Sequence, residues 1–271
     1  MILTCKDKKL DLALPKIMGI LNVTPDSFSD GGSFFQRDKA IEQAHTMLLD
    51  GADIIDIGGE STRPGADVVS SKDEIERVIP IIRALQTTSV PLSIDTSKPE
   101  VMLAAVEAGA SIINDVNALR AKGALEVAAE LNVPVCLMHM KGTPDTMQQS
   151  PQYGNVVEEI KQFLGKRIDA ALSAGIAEAN IIIDPGFGFG KTCQHNITLL
   201  KQLADFLSLK KPLLVGLSRK RFLGEITARG TLERIPASIS AAMIAAQQGA
   251  HILRVHDVAE TRDMLNVLKT F

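Results

Sequence analysis

Ile181-Ile182-Ile183-Asp184 is a β-branched run that stops at a carboxylate, and the same pattern recurs along the chain. Further apolar runs lie at Ile17 to Leu21, Ile54 to Ile57, Leu92 to Ile94, Ile112 to Ile113, Val135 to Met138, Leu213 to Leu217 and Ile252 to Val255. Their length and β-branching suit buried strands. Seven of the eight runs lead into side chains suited to chemistry: Asn22, Glu60 with Thr62, Asp95, Asn114, Asp184, Arg219 with Lys220, and Arg254 with His256. The remaining run ends at Met138-His139. In a ring of parallel strands the carboxyl ends converge on one mouth, so scattered acids, amides and bases become neighbours.

Amphipathic stretches separate the runs. Lys39 to Asp50, Asp73 to Leu85, Pro99 to Ala108, Val156 to Ala171, Ile239 to Gln248 and Ala259 to Leu268 carry apolar residues at helical spacing. Gly51, Gly109, Gly175 and Gly249 each follow a helical stretch, where a helix end favours positive φ. Eight strands alternating strictly with eight helices predict a closed (β/α)8 TIM barrel; a doubly wound open sheet is the alternative. No linker interrupts the chain, so residues 1–271 are expected to form one domain. The long loops after the first, second and fifth strands, Thr24 to Phe35, Gly58 to Ser71 and Lys141 to Tyr153, fall on the mouth of such a barrel.

Composition narrows the function. The 271 residues are 45% hydrophobic with a formal net charge of −3, which gives no basic footprint for nucleic acid or an anionic membrane surface. Cys5, Cys136 and Cys193 are odd in number and far apart, against a disulfide framework or a thiolate zinc site. No apolar stretch reaches the ~18 residues of a membrane span, and the N-terminus lacks a signal core. A cytoplasmic protein is expected. No H-x-x-x-H or H-E-x-x-H pattern is present, which argues against a protein-built zinc site, whereas Mg²⁺ shared with substrate phosphates needs fewer protein ligands.

Asp95, Asn114 and Asp184 each leave an apolar strand where the barrel opens. Each has helix capping as its ordinary alternative, Asp95 before Pro99 being the clearest case. Together, two carboxylates and an amide match a ligand edge rich in N–H donors, such as a 2-amino-4-oxo-pyrimidine. Gly58-Gly59-Glu60-Ser61-Thr62-Arg63-Pro64-Gly65 suits a phosphorylated ligand, as does the cationic run Ser218-Arg219-Lys220-Arg221 after the seventh strand. Arg254 and His256 share one side of a continuing strand and can meet one anion. His45 is expected on the surface; His139 and His195 lie near the mouth without the partners of a metal site.

Asn22 through Gly32 and Gly58 through Gly65 resemble the signature segments of the dihydropteroate synthase family, pterin-binding barrel enzymes. The resemblance continues through Ser93-Ile94-Asp95-Thr96, Ile113-Asn114-Asp115-Val116, Met138-His139-Met140, Asp184 to Thr192, Ser218-Arg219-Lys220 and Arg254-Val255-His256-Asp257. It implies condensation of 6-hydroxymethyl-7,8-dihydropterin diphosphate with 4-aminobenzoate to give 7,8-dihydropteroate and pyrophosphate. It further implies Asp95, Asp184 and Lys220 as catalytic residues. Thr62, Asp95, Asn114, Met138, Asp184, Lys220, Arg254 and His256 would bind the pterin diphosphate, and Asn22 would bind Mg²⁺. Phe28, Thr62, Arg63, Pro64, Phe189, Ser218 and Arg221 would form the aminobenzoate pocket and its loops. Sulfonamides would compete with aminobenzoate, and the protein would be a homodimer through outer helices late in the chain. Phe187, where a smaller aliphatic residue is usual, and Arg221, where serine is frequent, depart from the pattern. A corrinoid-dependent methyltransferase and a non-catalytic pterin-binding subunit are the competing readings.

Overall fold

The computed structural model describes residues 1–23, 33–61, 67–143 and 146–270, with the side chains of 33–36 also set aside. Its elements follow the predicted alternation. A hairpin of β1 (Ile2–Cys5) and β2 (Lys8–Asp11) precedes β3 (Lys16–Asn22), α1 (Ser33–Leu49), β4 (Ile54–Gly58), α2 (Ser71–Leu85), β5 (Leu92–Asp95), α3 (Pro99–Ala108), β6 (Ile112–Asp115) and α4 (Ala124–Leu131). Then come β7 (Val135–Met138), α5 (Val156–Ser173), β8 (Ile181–Asp184), α6 (Cys193–Lys201), β9 (Leu214–Val215), α7 (Arg221–Thr227), α8 (Ile235–Gln247), β10 (Ile252–Val255) and α9 (Val258–Leu268). The eight-stranded sheet runs β8-β7-β6-β5-β4-β3-β10-β9, all parallel. A parallel bridge between Ile183 and Leu213 joins β8 to β9 and closes the ring. The barrel, not the open sheet, is therefore the fold.

Strict alternation of side chains makes the site. On β4, Ile55 and Ile57 face outward into the large apolar layer beneath the helices, while Ile54 belongs to a separate inner cluster. Met18, Ile54, Ile112, Cys136, Ile182, Leu214 and Ile252 form that inner floor. Two residues further along, the inward positions are Ile20, Asp56, Asn114, Met138, Asp184, Gly216 and Arg254. Because strand periodicity is two, one apolar layer below fixes one polar layer above.

Two expectations need correction. The N-terminal hairpin was not anticipated: it lies under the barrel, where Leu3, Cys5, Leu10 and Leu12 pack into the inner floor. Short alternating runs around the turn at Lys6 and Asp7 carry too little apolar length to stand out. Strict eight-and-eight alternation also fails, since nine α-helices occur among the described residues and both α7 and α8 follow β9. The punctuation does hold, with Gly51, Gly109, Gly175 and Gly249 at φ +94°, +127°, +95° and +93°. No helix among the described residues is long and apolar enough to cross a membrane.

Leu3 is 1% exposed at the centre of the hairpin plug. Replacing it with alanine should lower unfolding free energy by about 2–4 kcal/mol in denaturant titrations. Ligand affinity at the opposite end of the barrel should be unchanged at permissive temperature.

Candidate active site

At the carboxyl end of the barrel, Asp95, Asn114, Val116, Met138, Asp184, Gly186, Phe187, Phe189, Gly216, Lys220 and Arg254 line a pocket of about 350 Å³, its open mouth included. The central contact is ionic. Arg254 donates through Nε to Asp56 Oδ2 and through Nη2 to Asp95 Oδ2, both at 2.6 Å. Asn114 Nδ2 donates to the same Asp56 oxygen at 3.0 Å. Asp95 therefore serves no helix end; the N-cap position of α3 is Lys98, without a side-chain cap. Asp184 accepts one local bond, from Gly186 N at 2.7 Å, and still lines the pocket.

This crowding shifts proton affinities. Burial raises the Asp95 carboxyl to about 7 against the lowering pull of Arg254, with Asp56 also raising it. Burial likewise raises Asp184. Burial, helped by Arg254 and opposed by Asp184, brings the Lys220 ammonium down to about 8. Two carboxylates, Asp95 and Asp184, and two cations, Lys220 and Arg254, line the pocket, with Asp56 buried behind Arg254 and Lys191 acting on Asp184.

The cationic run after β9 divides its four side chains between four tasks. Ser218 Oγ lies 2.9 Å from His256 Nδ1 and accepts from the His256 backbone N–H, so its hydroxyl proton is free to go to Nδ1. That leaves the imidazole proton on Nε2. Burial, reinforced by Arg254 and Arg219, lowers His256 to about 4, which keeps the ring neutral at physiological pH. Arg219 pairs with Asp257, and this holds its backbone at φ +57°, a left-handed conformation that costs about 1–2 kcal/mol. Lys220 points into the pocket, with Nζ 4.2 Å from the centroid of the Phe189 ring. Arg221 starts α7 and is exposed, donating to Glu225 at 2.8 Å.

The loop after β8 is anchored from below. Lys191 is 3% exposed and donates to the carbonyls of Gly186 at 2.7 Å and Phe189 at 2.9 Å. Its Nζ also lies 3.0 Å from His139 Nδ1. Burial, with Lys191 next, pushes His139 down to about 2, so the ring is a neutral acceptor. Gly186 sits at φ +70°, and a Cβ there would fall 1.9 Å from the His139 carbonyl oxygen, so only glycine fits. His195 completes the capping box of α6 with Thr192. His139 and His195 are thus structural, and His45 is exposed as expected. Phe187 fills core space, with its ring centroid 6.4 Å from that of Phe222, and so accommodates the larger side chain.

Asn22 ends β3 half-buried, level with Gly58 and Asp95 across the sheet. A Cβ on Gly58 would lie 3.7 Å from Asp95 Oδ2 and 3.9 Å from Asn22 Oδ1. Among the described residues no group of three or more His, Cys, Asp or Glu forms a metal cage. Phe28, Thr62, Arg63 and Pro64 lie outside the described residues. Sequence reasoning missed Asp56 and Lys191. The signal for Asp56 is a carboxylate inside the apolar run Ile54-Ile55-Asp56-Ile57. Lys191 has only its place beside a glycine-rich turn.

Comparison with known proteins agrees with this geometry. The family model described as pterin binding enzyme matches residues 18–256. The dihydropteroate synthase of Escherichia coli is 50% identical over 270 residues, spanning 99% of this chain and 96% of that protein. Xanthomonas albilineans dihydropteroate synthase solved with 4-aminobenzoic acid superposes with a TM-score of 0.95 at 51% identity, covering 99% of this chain and 97% of that one. The same enzyme in complex with 7,8-dihydropteroate gives 0.92 at 48% identity, covering 100% and 98%. The chain belongs to the pterin binding enzyme family and, within it, to the dihydropteroate synthases.

Proposed function

We infer that this site condenses (7,8-dihydropterin-6-yl)methyl diphosphate with 4-aminobenzoate, releasing 7,8-dihydropteroate and pyrophosphate, within one pterin-binding domain over residues 1–271. The observation that carries the reading is the acceptor-rich wall of Asp184, Asn114 and Asp95 facing Lys220 and Arg254 around one pocket. A pterin presents N–H donors on its pyrimidine edge, which Asp184 and Asn114 accept. Lys220 donates on the opposite side, and Arg254 and Met138 sandwich the ring, the guanidinium adding cation–π contact.

The reaction breaks the bond between the methylene carbon and the diphosphate oxygen, and the electron pair leaves with pyrophosphate. Positive charge then spreads into the dihydropterin. The buried carboxylates of the wall stabilise that cation, with Asp95 nearest the nitrogen that gains positive character. The aniline nitrogen attacks the exposed methylene carbon and loses its proton to water or pyrophosphate. Arg254 and neutral His256, through its Nε2–H, hold the leaving group together with Thr62. Phe28, Thr62, Arg63 and Pro64 would close the aminobenzoate pocket against Phe189, which the anchored turn after β8 holds in place, and exclude water that traps the cation. The benzoate carboxylate would lie by Ser218 and the start of α7 at Arg221.

The donor set at Asn22 suits Mg²⁺: a neutral amide oxygen at the mouth, with Asp56 and Asp95 committed to Arg254, leaves most ligands to substrate phosphates and water. Bound there, Mg²⁺ would neutralise the departing diphosphate. The reading also takes the protein as cytoplasmic and homodimeric. The half-exposed Ile226 of α7 and Met243 and Ile244 of α8 support late outer helices as the contact.

Incubating the protein with dihydropterin diphosphate, labelled 4-aminobenzoate and Mg²⁺ should give dihydropteroate and pyrophosphate in equal amounts. Asp184→Asn and Lys220→Ala should each lower kcat/KM at least about a hundredfold. Pterin binding without product would favour a non-catalytic pterin-binding subunit; methyl transfer from a methylated tetrahydrofolate would favour the corrinoid-dependent reading.

The pH dependence has a defined sign. Asp95, raised to about 7, is charged only above that pH, and Lys220, lowered to about 8, is charged only below that one. The profile of kcat/KM, which reports the free enzyme, should be a narrow bell between these limbs. Asp95→Asn should remove the acid limb while retaining the alkaline one.

A further inference from the structure

Asp56 touches no face of the pocket, yet it holds two residues that do. It is 0% exposed, occupies the inward position above Ile54, and gives its Oδ2 to both Arg254 and Asn114. Its Oδ1 has no hydrogen-bond partner among the described residues. A buried carboxylate satisfied on one oxygen is a poor source of stability, because desolvation offsets much of the ion-pair attraction. Its orienting effect is definite, however. An ionised carboxylate only accepts hydrogen bonds, so the group of Asn114 that faces it must be the NH2. The amide is planar, so its oxygen points the other way.

We propose that Asp56 is a positioning residue that sets the pocket's preference for an amino group at the ligand's pyrimidine edge. By turning the Asn114 nitrogen inward it presents Asn114 Oδ1 to the ligand. The inference rests on the pterin reading of this pocket. Asn114 Oδ1 and Asp184 then form a wall of acceptors, matched to a 2-amino group and opposed to a 2-oxo group, whose lone pairs would face theirs. Without Asp56 the amide can turn over and offer its nitrogen to a carbonyl.

The test is calorimetric binding of 6-hydroxymethylpterin and of its 2-oxo counterpart, 6-hydroxymethyllumazine, to the full chain. The wild-type protein should prefer the pterin by about tenfold or more, because the wrong edge leaves buried polar groups unpaired. Asp56→Ala, which removes the oxygen that accepts from Arg254 and Asn114, should reduce that ratio by about tenfold, mainly by weakening pterin. The same substitution in an Asn114→Ala background should leave the ratio unchanged, and the KM for 4-aminobenzoate should not move in the single variant. Asp56→Asn is the conservative variant: Arg254 Nε draws its amide oxygen into the place of Oδ2, where it still accepts from Asn114 Nδ2. It should keep the preference, and Asp56→Ser, too short to replace the carboxylate as acceptor, supplies the disruptive test if Asp56→Ala fails to fold. A purely structural role would weaken both ligands equally and keep the ratio, which would overturn the proposal while leaving the pterin pocket standing. Loss of the preference in folded Asp56→Asn would also overturn it. Wild-type protein that binds neither ligand would overturn the pocket reading and this proposal together.

Discussion

Arg254 is the constraint on which the mouth of the barrel depends. A guanidinium that rises from the inner floor of a closed barrel must be paired, and it meets carboxylates from β4 and β5 at 2.6 Å each. Removing either partner of such a pair costs about 3–5 kcal/mol, because the survivor stays buried and uncompensated. The same contacts bring β10, β4, β5 and, through Asn114, β6 into one arrangement. They also leave the residue poised, since Asp95 and Asp56 hold its nitrogens while the face of the guanidinium plane remains available to a flat ring. Structural pairing and proposed catalytic electrostatics are here one set of charges.

The opposite wall is fixed by different means. Asp184, Phe187 and Phe189 ride on a turn after β8 that Lys191 ties together through buried carbonyls. Tyr153 adds a bond to the Gly190 carbonyl at 2.8 Å, and Asn196 accepts from Gly188 N at 2.8 Å. A carboxylate carried on so supported a turn keeps its geometry without rearranging as charge develops, which is what preorganised stabilisation requires. Flexibility would be costly on this side of the pocket.

Most of this was legible because strand periodicity and strand ends are local properties. The runs ending at Asp95, Asn114, Asp184 and Arg254 announced both a parallel barrel and its acceptor-rich mouth. Capping remained open for Asp95 until its partner was visible, because Arg254 lies 159 residues away in the chain. The N-terminal hairpin escaped notice because its four apolar residues acquire meaning only beneath a barrel. Asp56 escaped because a single charge inside an apolar run reads as a strand residue until its depth is known. The resemblance alone set Lys220 apart from its neighbours; that Arg219 pairs with Asp257 and Arg221 with Glu225 could not be read from sequence, since adjacent cations look alike and differ only in the acceptor each one meets.

The central claim is that the charges around Arg254 stabilise a pterin cation formed before the amine attacks. Positional isotope exchange tests this most directly. Dihydropterin diphosphate labelled with ¹⁸O at the bridging oxygen is incubated with the enzyme and Mg²⁺ without 4-aminobenzoate, then recovered unreacted. The account predicts migration of label into non-bridging positions, because carbon–oxygen cleavage precedes and does not need the amine. Label that stays in place, in enzyme that turns over normally once 4-aminobenzoate is added, would contradict it.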